Sequence, residues 1–195
     1  MIILVTAGFM LHGSLGVESC VVALTAAGIL MLISGERIEE ALAHVEWTTL
    51  VFFAGLFIVV GALSEVGVIG MLAQALIDVT GGSTFVAMLV LLFASAIISS
   101  FLDNIPFVAT MIPILLSMEA TGMDVMPLWW AVSLGACLGG NGTLIGASAN
   151  VVMSDISRKN GHVITFAHFF KVGFPTMLAT VAVSAIYLIV RFPPM

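Results

Sequence analysis

Long apolar runs separated by short polar turns organise this chain. The first run starts at Met1 and stops at His12, about 11 residues where a spanning helix needs about 20. The simplest expectation is a helix cut short, as in a fragment or a split gene product. A secretory signal would need a basic leading region and a small-residue cleavage site. After a polar turn at residues 12–19, residues 20–33 form a second span that ends at Ser34 and Gly35, and residues 36–46 are polar and amphipathic. Residues 48–63 are a third span, with Gly55 and Gly61 permitting close helix packing. Residues 64–80 alternate polar and apolar at helical spacing, which suits a helix lying at the membrane interface, and Gly81 and Gly82 end it. Residues 85–101 are apolar, Asp103, Asn104, Ile105 and Pro106 interrupt, and residues 107–116 form a second apolar arm. An arm of about ten residues, at ~1.5 Å each, reaches about half of a ~30 Å hydrocarbon core. A re-entrant hairpin over about 84–118 is therefore predicted. A broken helix over about 128–157 follows, then a polar stretch at 158–171 and a last span at 172–190. The pattern predicts an all-α polytopic membrane protein, one transmembrane domain over 1–195 with about five spans.

Composition excludes a soluble fold. Hydrophobic residues make up 61% and charged residues 8%, with mean hydropathy +1.25. A soluble domain carries roughly 45–50% apolar and about 25% charged residues. The partner is the lipid bilayer. The net charge of −6 is scattered through loops and points to no nucleic acid. Cys20 and Cys137 lie in apolar stretches, where core packing is expected and a disulfide is not. Lys and Arg collect on the cytoplasmic side of membrane proteins. With residues 103–106 as a hairpin tip and residues 128–157 crossing once, Arg37, Arg158, Lys159 and Lys171 share one face, and Arg191 lies opposite. That layout makes the four-cation side cytoplasmic and opens the hairpin outward. Two ordinary spans meeting at Asp103 give the same parity, so charge leaves both open.

The chemistry concentrates at two interruptions. Inside the broken helix, GGNGTLIGASAN at residues 139–150 unwinds backbone at a depth where lipid satisfies no polar group, which is tolerated only against protein or an aqueous cavity. Discontinuous helices of secondary transporters have this form and aim half-helix ends and freed carbonyls at ion and substrate. The alternative is a small-residue packing face, although Gly139, Gly140, Asn141, Gly142 and Thr143 exceed what packing needs. Asp103 is the one acid expected deep in the apolar region, where a carboxylate costs several kcal/mol unless solvated, paired or protonated. With Asn104 it offers hard oxygens for Na⁺, or a proton site, while Pro106 is expected to hold Ile105 out of helical conformation. The alternative is the solvated tip of a simple turn. Candidate ion- and substrate-binding residues are Asp103, Asn104, Gly139, Gly140, Asn141, Gly142, Thr143, Ser148 and Asn150, with Na⁺ assigned to Asp103, Asn104, Asn141 and Thr143. His12, His44, His162 and His168 lack metal-ligand spacing. Trp47, Trp129 and Trp130 fall at span ends, as an aromatic belt does. Ser14 and Ser148 have no His or Asp placed in sequence to activate a nucleophile, so no enzyme is expected. No cofactor is expected beyond a coupling Na⁺ or H⁺.

The layout and both motifs resemble the ion transporter superfamily, which groups divalent anion/sodium symporters, citrate carriers, arsenite permeases, NhaD-type sodium/proton antiporters and the melanosomal P-protein. Each of that family's two inverted repeats holds a re-entrant hairpin followed by a broken helix, and this chain resembles the second, C-terminal repeat nearly end to end. The family's broken-helix pattern is approximately GGTATLIGTPPN. Gly139, Gly140, Thr143, Ile145, Gly146 and Asn150 agree with it, whereas Asn141, Gly142, Ala147, Ser148 and Ala149 depart. The dicarboxylate branch carries Ser-Asn-Thr at the hairpin tip; here Asp103, Asn104 and Ile105 stand there, and an ionised Asp103 would repel a dianion at close range. DNIPFVATMIPI is closer to the arsenite permease, NhaD and P-protein side.

The resemblance implies alternating access, with Asp103 and Asn104 joined at the midplane by carbonyls around residues 139–143. A half-helix beginning near Leu144 would present N–H groups to an anion. The implied function is transport of a small anion or oxyanion, citrate/dicarboxylate-type or arsenite-type, driven by Na⁺ or H⁺. A NhaD-type Na⁺/H⁺ antiporter is the close rival, and a non-transporting membrane subunit or gene remnant is the other class. A complete transporter needs both repeats, so an N-terminal half of opposite orientation is expected to be missing or on a separate chain. Complete transporters are expected to form a homodimer.

Overall fold

The computed structural model describes residues 2–35 and 37–194, without the side chains of residues 2–4, 14 and 15. The expected starts of the first apolar run at Met1 and of the polar segment at Glu36, and the side chain of Ser14, lie outside the described residues. Ten helices and no strand occur among the described residues, as the all-α polytopic pattern predicts.

Two compact units divide the chain, residues 1–51 and residues 52–195. In the first, α1 (Ile2–Leu15) packs on α2 (Ser19–Ser34). Gly8 permits the contact, since an added Cβ would lie 2.7 Å from Val22 Cγ1. Helix α2 stops at Gly35, whose φ of 71° is the left-handed conformation glycine adopts without penalty. The short α3 (Ile38–Ala43) follows, and α4 (Trp47–Glu65) begins within this unit. Cys20 is exposed, as is Cys137 in the second unit, so neither packs in the core as expected. An apolar stretch specifies a helix for lipid, not which of its faces turns inward.

The second unit holds the remainder of α4, α5 (Val68–Val79), α6 (Thr84–Ser99), α7 (Asn104–Ala120), α8 (Met126–Gly139), α9 (Ser148–Lys159) and α10 (Phe166–Arg191). Its core is the α6–α8 pair, flanked by α10 and α7, with α5 against α7. Met88, Leu92, Leu115, Met118, Leu128, Ala131, Met177 and Leu188 are fully buried there. Small residues let α6 and α8 approach closely: an added Cβ at Gly139 would lie 2.5 Å from the Ala96 carbonyl oxygen, and one at Gly135 would strike the Leu92 carbonyl. Many large apolar side chains outside this core face outward, Phe57, Ile58, Val183 and Val190 among them. Such a surface suits lipid and not water.

Helices α4 and α10 are long and apolar enough to cross a bilayer, and α5 with α6, meeting at 113°, makes a third candidate if read as one bent span. Helices α2, α7 and α8 are apolar but shorter. Several boundaries differ from expectation. Helix α7 has 17 residues, where the apolar arm predicted about ten, because it takes in Asn104, Ile105 and Pro106 before the apolar run and continues through Ser117 and Glu119 after it. Ile105 is helical, because Pro106 sits in the first turn of α7, where a missing N–H has no intrahelical partner to lose. Helix α10 begins at Phe166 and takes in His168 and Lys171. Its start is fixed by Thr165, whose Oγ1 accepts from His168 N at 3.2 Å, and Phe166, Phe170 and Phe174 stack along one face. Lys171 and Arg191 stand near opposite ends of α10, about 30 Å apart along its axis.

Candidate functional site

The site assembles where the α6–α7 link meets the segment between α8 and α9. Asp103 is the N-cap of α7: its Oδ1 accepts from Ile105 N at 3.1 Å. Its other oxygen, Oδ2, accepts from Ser148 Oγ at 2.8 Å. Ser148 is the first residue of α9, so one carboxylate joins the starts of two helices. An acid beside Ser148 departs from expectation, and sequence separation hid it. No histidine completes a nucleophilic relay, because His162 and His168 lie outside this hydrogen-bonded set among the described residues.

The break runs over residues 140–147, one residue later than its glycine signature begins, because Gly139 closes α8. Its glycines supply space and not unusual backbone: the positive-φ glycines all lie elsewhere in the chain. An added Cβ at Gly146 would sit 2.7 Å from the Ser100 carbonyl oxygen and 2.8 Å from that of Gly140. At Gly142 it would sit 2.7 Å from Ser100 Cβ and 3.1 Å from Met177 Cε. The break is thus pressed between the end of α6 and α10. Gly173 lets α10 approach it, since a Cβ there would lie 2.5 Å from the Asn141 carbonyl oxygen.

Several of the break's backbone groups find partners within the break or from α9. Gly142 N donates to Gly139 O at 2.8 Å and Gly146 N to Thr143 O at 3.2 Å. Asn150 reaches back from α9, its Nδ2 donating to Gly140 O at 2.8 Å and Thr143 O at 3.1 Å. Thr143 is fully buried and its hydroxyl donates to the Ser100 carbonyl oxygen. The Gly139 and Gly140 carbonyls, each accepting one of these bonds, retain a second lone pair for a cation, whereas the Thr143 carbonyl already accepts two. Two bonds therefore fasten the α6–α7 link to the break, Thr143 to Ser100 and Ser148 to Asp103. Asn104 and Asn141 make no side-chain hydrogen bond among the described residues. The anion-facing N–H groups expected near Leu144 begin instead with α9 at Ser148, because residues 144–147 are turn and extended backbone with Ala147 as N-cap.

The α6 serines escaped the sequence reading. Ser99 Oγ donates to Ala136 O at 2.8 Å across the α6–α8 contact, Ser100 Oγ donates to Ile97 O at 2.6 Å, and buried Ser95 Oγ has no partner among the described residues. Their signal was small residues at helical spacing opposite Gly135 and Gly139. Among the described residues no three His, Cys, Asp or Glu side chains come together as metal ligands, and the donors at the link and break are oxygens. Such donors suit a hard cation or a proton.

A family profile described as "Citrate transporter" matches residues 1–135. An uncharacterized transporter of Mycobacterium tuberculosis is 46% identical over 195 residues, which cover 98% of this chain and 45% of that protein. The 46 kDa membrane protein of Mycobacterium leprae is 42% identical over 194 residues, with the same two coverages of 98% and 45%. The P protein of Mus musculus is 44% identical over 175 residues, 86% of this chain and 21% of that protein. The chain spans less than half the length of these relatives.

Proposed function

This chain belongs to the citrate transporter family, and from that premise we propose that it is the C-terminal half of a secondary active membrane transporter. The complete protein moves a small anion or oxyanion, citrate/dicarboxylate-type or arsenite-type, coupled to Na⁺ or H⁺ by alternating access. The observation that carries this reading is the 2.8 Å bond from Ser148 Oγ to Asp103 Oδ2, which brings the link and the break to one point. A cation or proton at Asp103 competes with the serine hydroxyl for the same carboxylate oxygen. Occupancy of the ion site thereby acts on the start of α9, whose N–H groups face an anion.

In this reading α6 and α7 are the arms of a re-entrant hairpin, α8 and α9 the halves of the broken helix. Asn104, Asn141 and Thr143 complete the Na⁺ shell with Asp103; Gly139, Gly140, Gly142, Ser148 and Asn150 border the substrate. Arg37, Arg158, Lys159 and Lys171 face the cytoplasm by the Lys/Arg rule. An N-terminal half of opposite orientation supplies the rest of the ligand shell, and complete transporters pair as homodimers.

A NhaD-type Na⁺/H⁺ antiporter is the rival, favoured by Asp103 itself, since a fixed negative charge attracts a cation and repels a dianion. A substrate panel on the complete transporter in proteoliposomes separates them. Anion uptake without anion-independent Na⁺/H⁺ exchange supports the anion carrier; exchange without any anion supports the antiporter.

A further inference from the structure

Charge patterning assigns Arg158 and Lys159 to topology alone, yet Arg158 borders a cavity that touches the break. Arg158 Nη2 lies 2.5 Å from Asp155 Oδ1, and Lys159 Nζ lies 2.8 Å from Asp155 Oδ2. One carboxylate faces two cations. Even against the roughly half negative charge at the C-terminus of α9, the local balance stays positive. A guanidinium has five N–H donors, and Asp155 engages only the Nη2 end of this one.

Beside this cluster lies a cavity of about 300 Å³. Arg158, Asp155 and Ser154 line its polar side; Val151, Val163, Ile164 and Leu144 of the break line its apolar side. The volume is at the lower end for small-molecule pockets. A recess with one cationic fork and an aliphatic wall suits a compact ion with a charged head and a short carbon body. Helix α9 connects it to the candidate site: its first residue bonds Asp103, and its last turn carries Arg158 and Lys159.

The geometry points to an antechamber on the Lys/Arg-rich side of the break, holding a small carboxylate or oxyanion, with Arg158 as the recognising group and Asp155 as the internal competitor. It rests on the anion-carrier reading above for its ligand class. Arg158 pairs with Asp155 when the cavity is empty and turns spare donors to the anion when it is filled, so the anion binds without leaving an unpaired charge at the interface.

The test uses the full 195-residue chain purified in detergent, with Cys20 and Cys137 replaced by alanine and Val151→Cys or Val163→Cys as the reporter. N-ethylmaleimide labelling is timed with citrate and with sodium chloride of equal ionic strength. Citrate is expected to slow labelling at both reporters and to leave Val183→Cys, exposed on α10 away from the cavity, unaffected. Arg158→Gln raises the half-protecting concentration about tenfold or more, as loss of a charge-assisted contact does. Arg158→Lys loses less, Lys159→Gln shifts it by no more than about twofold, and Asp155→Asn lowers it. Absence of protection at both reporters, equal shifts for Arg158→Gln and Lys159→Gln, or protection by a short-chain phosphatidylglycerol but not citrate overturns the proposal. Citrate protection in a protein whose complete transporter moves no anion would instead reject the anion-carrier reading and leave the cavity assignment standing.

Discussion

Asp103 and Ser148, 45 positions apart, meet through a hydrogen bond of 2.8 Å from the serine hydroxyl to a carboxylate oxygen. The bond links the start of α7 to the start of α9, so neither helix end moves without disturbing the other. Deleting both side chains should therefore cost less than the two single deletions together. A cycle of Asp103→Ala, Ser148→Ala and the double variant is expected to give a coupling of about 1 kcal/mol by equilibrium unfolding in detergent. Zero coupling means that the pair does not form.

Gly146 should tolerate no side chain. Backbone oxygens of Ser100 and Gly140 flank the position, and backbone cannot swing aside as a side chain can. Gly146→Ala is expected to destabilise by about 1–3 kcal/mol, as overpacking does. Gly55→Ala, on α4 with nothing within 4 Å of an added Cβ, should be neutral or slightly stabilising. Thermal melts of the two variants make the comparison, and equal melting temperatures would contradict the packing.

Asn150 should be needed as a donor. Asn150→Asp keeps its shape but points a carboxylate at the carbonyls of Gly140 and Thr143. A loss of about 1–3 kcal/mol is expected, together with faster hydrogen exchange over residues 140–147. Unchanged exchange there would show that the break is held by other means.

Thr143 should act through its hydroxyl. Thr143→Val removes the buried bond to the Ser100 carbonyl and should destabilise by about 1–3 kcal/mol, whereas Thr143→Ser should retain most of the stability. Equal melting temperatures for the two variants would assign Thr143 to packing alone.

Helix order and the two interruptions were legible because each polar turn or glycine cluster stands out against an apolar background. Helix ends were less so. Hydropathy marks where lipid-compatible sequence stops, and α7 runs on through Ser117 and Glu119 because a helix needs only backbone bonds to continue. The start of α10 was in principle readable from Thr165, a capping residue that the apolar run at 172–190 outweighed. The break's extent was not readable, because tertiary partners decide it: Asn150 and Thr143 satisfy its carbonyls and anchor it to Ser100, and α9 starts only at Ser148. Candidate residues Asp103 and Ser148 bond each other, and Thr143 and Asn150 fasten the break, while the side chains of Asn104 and Asn141 make no hydrogen bond among the described residues. Residue type nominated all of them, but only the fold could sort them.

That the carboxylate of Asp103 couples ion occupancy to transport is tested most directly by flux. The complete two-repeat transporter carrying this chain is reconstituted in proteoliposomes, and uptake is measured across Na⁺ and H⁺ gradients for the parent and for Asp103→Asn. Loss of gradient-driven uptake in Asp103→Asn, with the variant still folded and inserted, is the predicted result. Unchanged flux with unchanged ion dependence would contradict it and reduce Asp103 to a helix cap.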